Sequence, residues 1–596
     1  MSYSSSFPTQ TPSLNLNFAT GSDQFLDSRI SYSRSSTGTA FSSERHKSSE
    51  NLFDKSNVYN SGGWLEVRVD QTIGQTDPTG GTSAKLINQT SGQVNAGVVY
   101  YSSTFGTEEL TFSIYLKPNG RTKPNLAENL TDSGNTVKRT YFDLTGSGAV
   151  GTKDAAHTAS IAKFGDWYRC TITFTPHAAD SGSVYLYISD TDNSQTVADD
   201  GNGYVVYGAN LSTTGQLVTN ETSGSIHREF APLLKTSQSD QPRFEYSATD
   251  GQSEGLLVEQ QSTNLTVASE EVNNWTTDSA TVQQNVAISP DGTLTADRLT
   301  DDASGPRPHF VYKSTALGVS VGSTVYTVSF YAKASGHSEL QTYDNNQNTS
   351  ANLAVNLANG TITSGTGLIK SCGDGWYRIS YQVTADHSTT SVVRILMKSG
   401  GSNSYTGNSY SGILLWGMQI EIGSAPTSYI KTTTSATATR SADSCSVAVS
   451  EITGFADTEG TLVAEGKFNN PAASSAAATL QDAAHTEYAK ITTGSADSVN
   501  GYVRASGADQ AVANAGSVSG DNAFKVAFRY DENNVGVSLN GGTAVTDTSA
   551  TMPIGMTTLY IGRSTKTWDV LNGNLKRVAY YAAALSDTEL KSLTSS

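Results

Sequence analysis

Cysteine is nearly missing from this chain: Cys170, Cys372 and Cys445 are the three among 596 residues. Three are too few for a disulfide framework, and no pair has metal-ligand spacing. Charge is also scarce, at 16%, and hydrophobic residues reach only 36%, both low for globular chains. Basic residues are outnumbered 38 to 55, for a net charge of −17. Such a surface repels nucleic acid and anionic membranes, so neither is expected as a partner. No apolar run approaches the roughly 18 residues of a membrane span. The start, Met1-Ser-Tyr-Ser-Ser-Ser-Phe-Pro8, lacks the basic region and apolar core of a signal peptide.

What fills the chain is Gly, Ser, Thr, Asn and Tyr. That mix is wrong for charge-driven disorder and suits short strands joined by polar turns. The length calls for several domains, since single cores rarely grow past about 250–300 residues.

Two stretches repeat the same landmarks in the same order. Phe112-Ser-Ile-Tyr-Leu-Lys117, Gly165-Asp-Trp-Tyr-Arg169 and Tyr207-Gly-Ala-Asn-Leu211 are answered by Val328-Ser-Phe-Tyr-Ala-Lys333, Gly375-Trp-Tyr-Arg378 and Trp416-Gly-Met-Gln-Ile420. Upstream, Asn51-Leu52 and Trp64 answer Asn264-Leu265 and Trp275. A nearly constant offset of about 210 residues marks a duplicated whole domain, not a solenoid of short units.

Within the first copy Leu110, Phe112, Ile114 and Leu116 alternate with Thr111, Ser113, Tyr115 and Lys117. The second copy sets Tyr326, Val328, Phe330 and Ala332 against Thr327, Ser329, Tyr331 and Lys333. Period-two alternation predicts a half-buried strand in a sheet with one wet face. Similar strands are expected at 167–175, 183–189, 376–383 and 391–397. The fold class is therefore all-β: tandem β-sandwich, jelly-roll domains. Module A is placed at 49–222 and module B at 263–442. The segments 1–48 and 223–262 are each too short to bury a core, and read as one small unit interrupted by module A. Residues 443–596 form a different sandwich, with a hairpin turning at Asp531-Glu-Asn-Asn534. Ser586 and Glu589 make a capping-box pattern, so one short helix is expected at the end.

The segments Leu14-Asn-Leu-Asn-Phe18, Leu26-Asp-Ser-Arg-Ile-Ser-Tyr-Ser-Arg-Ser-Ser-Thr-Gly-Thr-Ala-Phe41, Pro242-Arg-Phe-Glu-Tyr246 and Gly255-Leu-Leu-Val-Glu-Gln-Gln-Ser-Thr-Asn-Leu265 resemble bacteriophage virion proteins of the tail-fibre, tail-spike and head-fibre group. In such proteins a short loop separates the two halves of this pattern; here about two hundred residues intervene. Modules A and B resemble carbohydrate-binding jelly rolls through the repeated Trp-Tyr-Arg strand. Residues 443–596 resemble laminin-G or concanavalin-type sandwiches through Gly460-Thr-Leu-Val-Ala-Glu465, Tyr560-Ile-Gly562 and Gly573-Asn-Leu-Lys-Arg-Val-Ala-Tyr-Tyr-Ala-Ala-Ala-Leu585. The resemblance implies a non-enzymatic structural protein located in the virion, with residues 1–48 docking to other virion proteins. It also implies that the sandwiches bind host-surface polysaccharide or glycan, and that the chain forms a homo-oligomer, such as a trimer. A virion component fits a chain with extracellular composition and no export signal. A capsid-surface decoration protein and a polysaccharide depolymerase with accessory lectin modules are the alternatives.

Gly251-Gln-Ser-Glu-Gly255 has nucleophile-elbow spacing, but the following Leu256-Leu-Val258 reads as strand where that motif needs a helix. Gly146-Ser-Gly-Ala-Val-Gly151 has dinucleotide-fingerprint spacing without a βαβ unit. No cofactor is expected. Asp190, Asp192, Asp199 and Asp200 can supply oxygen ligands to Ca²⁺, although polar loops are commonly plain surface. Trp167 and Trp376 are expected to anchor the core, leaving Tyr168 and Tyr377 outside, because neighbours on a strand face opposite ways. The glycan-binding candidates are Tyr115 and Tyr331, expected on the wet face beside Lys117 and Lys333, and Trp568. Specificity is expected in the loops 119–140, 190–203, 336–350 and 399–412, where the two modules differ.

Overall fold

A computed structural model of the chain describes residues 11–19, 26–48, 53, 64–78, 82–90, 95–102, 105–164, 166–178, 181–194, 197–198, 200–212, 229–249, 251–346, 353–468, 475–494, 497–519 and 522–595. Alternating apolar residues build antiparallel sheets throughout, and the expected strands appear as Leu110–Asn119, Trp167–Phe174, Gly182–Tyr187, Trp376–Thr384 and Thr390–Lys398. Modules A and B each pair two six-stranded sheets. Their cores come from the inward sets: Phe112, Ile114 and Leu116 with Val184 and Leu186 in A, and Val328 and Phe330 with Val393 and Ile395 in B.

The two remaining large sheets make a third sandwich, and its composition differs from expectation. Leu14–Asn17 pairs with the strand Gly573–Tyr581, and so does Ser253–Val258, which is in turn hairpinned to Arg243–Tyr246. Ile30–Ser33 pairs with Ser444–Ala448 in the opposite sheet. Leu14–Asn17, Ile30–Ser33 and the return hairpin thus do not pair with one another. They complete the C-terminal sandwich, because Leu14, Leu16, Phe18, Leu256 and Val258 bury in the same core as Leu462, Phe528 and Leu575. The hairpin Ala523–Asp531 to Val535–Leu539 forms as its alternation predicts. So does the helix, Asp587–Thr594: Ser586 and Glu589 make both capping-box bonds. Leu590 then packs on Val463, Ala527 and Ala579 over one outer face of this sandwich.

The wet faces expected on the repeated strands are covered. Two strands, Gly38–Ser48 and Glu229–Ser237, pair as a ribbon whose Phe41 and Leu234 lie on Tyr331, Trp376, Trp416 and Tyr429 of module B. The equivalent face of module A, with Tyr115, Trp167 and Tyr207, receives Tyr410 of module B.

A buried charge cluster joins these pieces. Arg243 donates from Nη1 to Glu259 Oε2 at 2.7 Å, Ser428 Oγ at 2.6 Å and the Thr39 carbonyl at 3.0 Å, and from Nη2 to Asp443 Oδ2 at 2.5 Å. The Asp443 carboxylate also accepts from the Glu259 amide at 2.9 Å, Tyr32 Oη at 2.6 Å and Arg34 Nη1 at 3.2 Å. Arg440 closes the group, 3.6 Å from Glu259 and 3.9 Å from Asp443. Burial alone would raise the Glu259 carboxyl, but Arg440 and Arg243 outweigh it and hold it at about 2.

Candidate functional site

With one outer face of the C-terminal sandwich under its helix, the opposite sheet presents the other. On the strands Ala476–Gln481, Tyr488–Thr493 and Ser498–Ala505, the inward residues Leu480, Ala489, Ile491 and Val503 enter the core. Period two then sends Gln481, Tyr488, Lys490, Tyr502 and Arg504 to the opposite side. Register puts Tyr488 across from Arg504, and Lys490 across from Tyr502.

A loop at 563–570 folds over this face. It begins after Gly562, at φ +70, where a Cβ would meet Val258 at 2.8 Å; glycine is needed on both counts. The loop returns on itself through the Arg563–Val570 bridge and a bond from Ser564 N to the Asp569 carbonyl at 3.0 Å. Two contacts pin it to the sheet. Lys490 Nζ lies 3.0 Å from Asp569 Oδ2, with both side chains buried. Gln481 Nε2 donates to Thr565 Oγ1 at 3.0 Å. Arg563 Nη1 donates to the Asp443 carbonyl at 2.9 Å, tying the loop base to the charge cluster.

The Lys490 ammonium sits 5.2 Å from the Tyr488 ring centre and 5.6 Å from that of Tyr502, within cation–π range. His485 packs on Tyr488 at 4.5 Å between ring centres. Burial, then the Lys490 cation, depress its imidazole to about 4. Burial, then Asp509, push the Tyr502 phenol upward. Across the strand pair from Lys490, the Thr479 hydroxyl is buried with no hydrogen-bond partner. At the loop tip, next to the pinned Asp569, the Trp568 indole is 60% exposed. An exposed indole on a loop pinned to a face that carries phenols, an amide and charges can stack on an apolar ring face and hydrogen-bond its polar edge.

The other candidates fall elsewhere. Tyr115 and Tyr331 are 5% and 1% exposed, and the expectation of solvent-facing rings is corrected. Each packs on its cross-strand partner of the same sheet under the covering piece: the Tyr115 ring centre lies 6.2 Å from that of Tyr207, and the Tyr331 ring centre 5.3 Å from that of Trp416. The expected Trp/Tyr orientation is also reversed. Tyr168 enters the core between the sheets of module A, while Trp167 and Trp376 bury on the covered outer faces.

Asp190 and Asp200 converge on Arg121, whose Nη2 donates to Asp200 Oδ1 at 2.5 Å and whose Nη1 pairs with Asp190. Asp192 instead accepts from the Thr152 amide at 2.9 Å. Asp199 lies outside the described residues. Among the described residues no group of three His, Cys, Asp or Glu side chains is arranged to hold a metal ion. The Ser253 elbow pattern lies in a β-hairpin and leads into a strand.

Residues of the outer face other than Trp568 escaped the sequence reading. Their signal was Tyr-x-Lys at Tyr488–Lys490 and Tyr-x-Arg at Tyr502–Arg504, paired polar alternations opposite an apolar set.

No protein-family model and no curated protein matches the chain. Among solved structures, parts of it are similar to the CBM40 domain of Ruminococcus gnavus IT-sialidase bound to α2,3-sialyllactose. That match has 19% identity and a TM-score of 0.21, covering 24% of this chain and 84% of that one. The tandem CBM22 domains of Paenibacillus barcinonensis Xyn10C match at 13% identity and TM-score 0.19, over 63% of this chain and 98% of theirs. Mouse laminin α1 domains LG4-5 match at 13% identity and TM-score 0.16, over 45% and 84%. No helix among the described residues is long and apolar enough to cross a membrane.

Proposed function

We propose that this chain is a non-enzymatic structural and adhesive protein of a bacteriophage particle, a tail fibre, tail spike or head fibre. Its outer face around Trp568 binds host-surface glycan. The glycan reading is carried by the exposed Trp568 indole on a loop pinned by the Lys490–Asp569 pair, above a face of phenols, amide and charge. The phage reading is supported by the N-terminal and return sequence patterns. Single sites of this kind bind weakly, and a homo-oligomer, such as a trimer, gains strength by avidity.

Binding of the full chain to host-surface polysaccharide, measured by biolayer interferometry, should fall roughly tenfold or more in Trp568→Ala, as for a central aromatic anchor. Unchanged binding in that variant would remove the site. Immunogold electron microscopy of purified virions should label an appendage. Label spread over the capsid would favour a decoration protein, and unlabelled virions would refute the particle assignment.

A further inference from the structure

The duplication shows what one module has and the other lacks. On the covered face of module B, Gln419 stands across from Ser329 in the strand register, with Glu421 two residues further on. The Gln419 amide is fully used. Its Nε2 donates to Glu421 Oε2 at 2.6 Å and to the Thr427 carbonyl at 3.3 Å, and its Oε1 accepts from Ile430 N at 2.7 Å. Arg378 donates from Nη2 to Ser329 Oγ at 3.1 Å and to the same Thr427 carbonyl at 2.7 Å. Burial alone would lower this guanidinium, but Tyr331 and the Glu421 carboxylate outweigh it and raise it.

Module A repeats the arrangement without the carboxylate. Asn210 stands across from Ser113 as Gln419 does from Ser329, and Ser212 takes the position of Glu421. Asn210 is fully buried, and neither its Nδ2 nor its Oδ1 has a hydrogen-bond partner. Arg169, the counterpart of Arg378, bonds only to Ser113 Oγ among the described residues, at 3.4 Å, and its Nε has no acceptor. Burial, opposed by Tyr115, and the Arg298 cation of module B lower its guanidinium. Asp301 acts on Arg298, whereas no carboxylate among the described residues acts on Arg169. Buried polar groups left unmet are costly, and the other copy names the group that would meet them. Arg169 is half-buried where the two modules meet, so solvent reaches it there.

We propose that this seam binds a carboxylate with a hydroxyl one or two carbons away, in the place that Glu421 holds in module B. The carboxylate pairs with Arg169 and accepts from Asn210 Nδ2, and the hydroxyl donates to Asn210 Oδ1. Free hydroxy acids and the uronate end of an acidic glycan share that chemistry. The site stands on the comparison of the two modules and does not depend on the outer face around Trp568.

Isothermal titration of the full chain should show binding of L-lactate, of D-glucuronate or of both. Lactate alone marks a free acid as the source, and glucuronate alone a glycan end. D-Glucose, without the carboxylate, and acetate, without the hydroxyl, should bind roughly tenfold more weakly or less. Arg169→Gln should weaken binding roughly ten- to a hundredfold, the range for a charge-assisted bond. Asn210→Leu should weaken it by about tenfold or more while leaving the melting transition of module A unchanged or raised, because it removes two unmet atoms at similar volume. This second variant keeps the test decisive if the first misfolds. A fall in that transition would show that Asn210 is already partnered, and would overturn the proposal. So would failure of both acids to bind, binding that survives Asn210→Leu, or acetate or sulfate binding as tightly.

Discussion

Replacing Asp443 by alanine removes the acceptor on which two separate parts of the chain converge. Its carboxylate takes bonds from Arg243 of the return segment, Arg34 and Tyr32 of the first segment, and the Glu259 amide. Both arginines have fully buried side chains, so water cannot replace the lost acceptor. Arg34 keeps the Ser36 and Gln238 carbonyls, at 2.8 and 2.7 Å, and Arg243 keeps Glu259. The cost is therefore that of breaking a buried pair, about 3–5 kcal/mol, and not that of stranding two bare ions. For a sandwich of this size, the melting transition should fall on the order of 10 °C. Differential scanning calorimetry should show the loss in one transition, because modules A and B have their own cores. Amide exchange should accelerate at Ile30–Ser33 and Ser444–Ala448 before it does at Leu110–Asn119. The double variant Asp443→Ala/Arg34→Met should cost less than the sum of its singles, since they share one contact. A loss under about 1 kcal/mol, or strict additivity, would refute the view that this cluster fastens the chain together.

Acid should weaken the C-terminal sandwich in two windows. The His485 pKa is depressed from 6.5 to about 4: its contribution is complete above 6.5 and is lost as pH falls toward 4. The Glu259 pKa is depressed from 4.5 to about 2, so that contribution is lost below 4.5. Melting temperatures from pH 8 to pH 3 should show both steps, and His485→Asn should erase the upper one. Ser586→Ala should cost about 1 kcal/mol through the lost helix cap, read from urea unfolding. Gly203→Ala and Gly412→Ala, matched positions in the two modules, would press a Cβ onto the Ile87 and Leu299 carbonyls. Each should destabilise its own module by ~2–3 kcal/mol, resolved by calorimetry.

The strands were legible because apolar residues recur at period two, and the helix because Ser586 and Glu589 form a local signal. The orientation of Tyr115 and Tyr331 was not. Alternation separates two faces of a strand without saying what covers each, and tyrosine suits either a wet face or a covered one. Only the tertiary placement of the ribbon and of Tyr410 settles the choice. The segments at 14–41 and 242–265 were recognisable as patterns, yet their physical content lay hidden. Arg34, Arg243 and Glu259 within them meet Asp443, hundreds of positions from the first. Trp568 stood out as a rare residue, whereas Lys490 and Asp569 gave no sign of a partnership 79 positions apart.

The pairing of Leu14–Asn17 with Gly573–Tyr581 constrains how the protein is made. Asn15 accepts a hydrogen bond from Arg577, 562 positions later. On the ribosome the opening strands emerge first and must wait, apolar and unpaired, until nearly the whole chain has been synthesised. Modules A and B can close in the meantime, since their strand pairs lie within their own spans. The last sandwich to form is thus the one that joins Leu14–Asn17 to Gly573–Tyr581, and a pairing so distant in sequence is slow to form. Premature termination between module B and Gly573–Tyr581 leaves folded modules with an unmatched β-edge, a species prone to associate with others of its kind. Folding yield should accordingly depend more on finishing translation than on the stability of either repeated module.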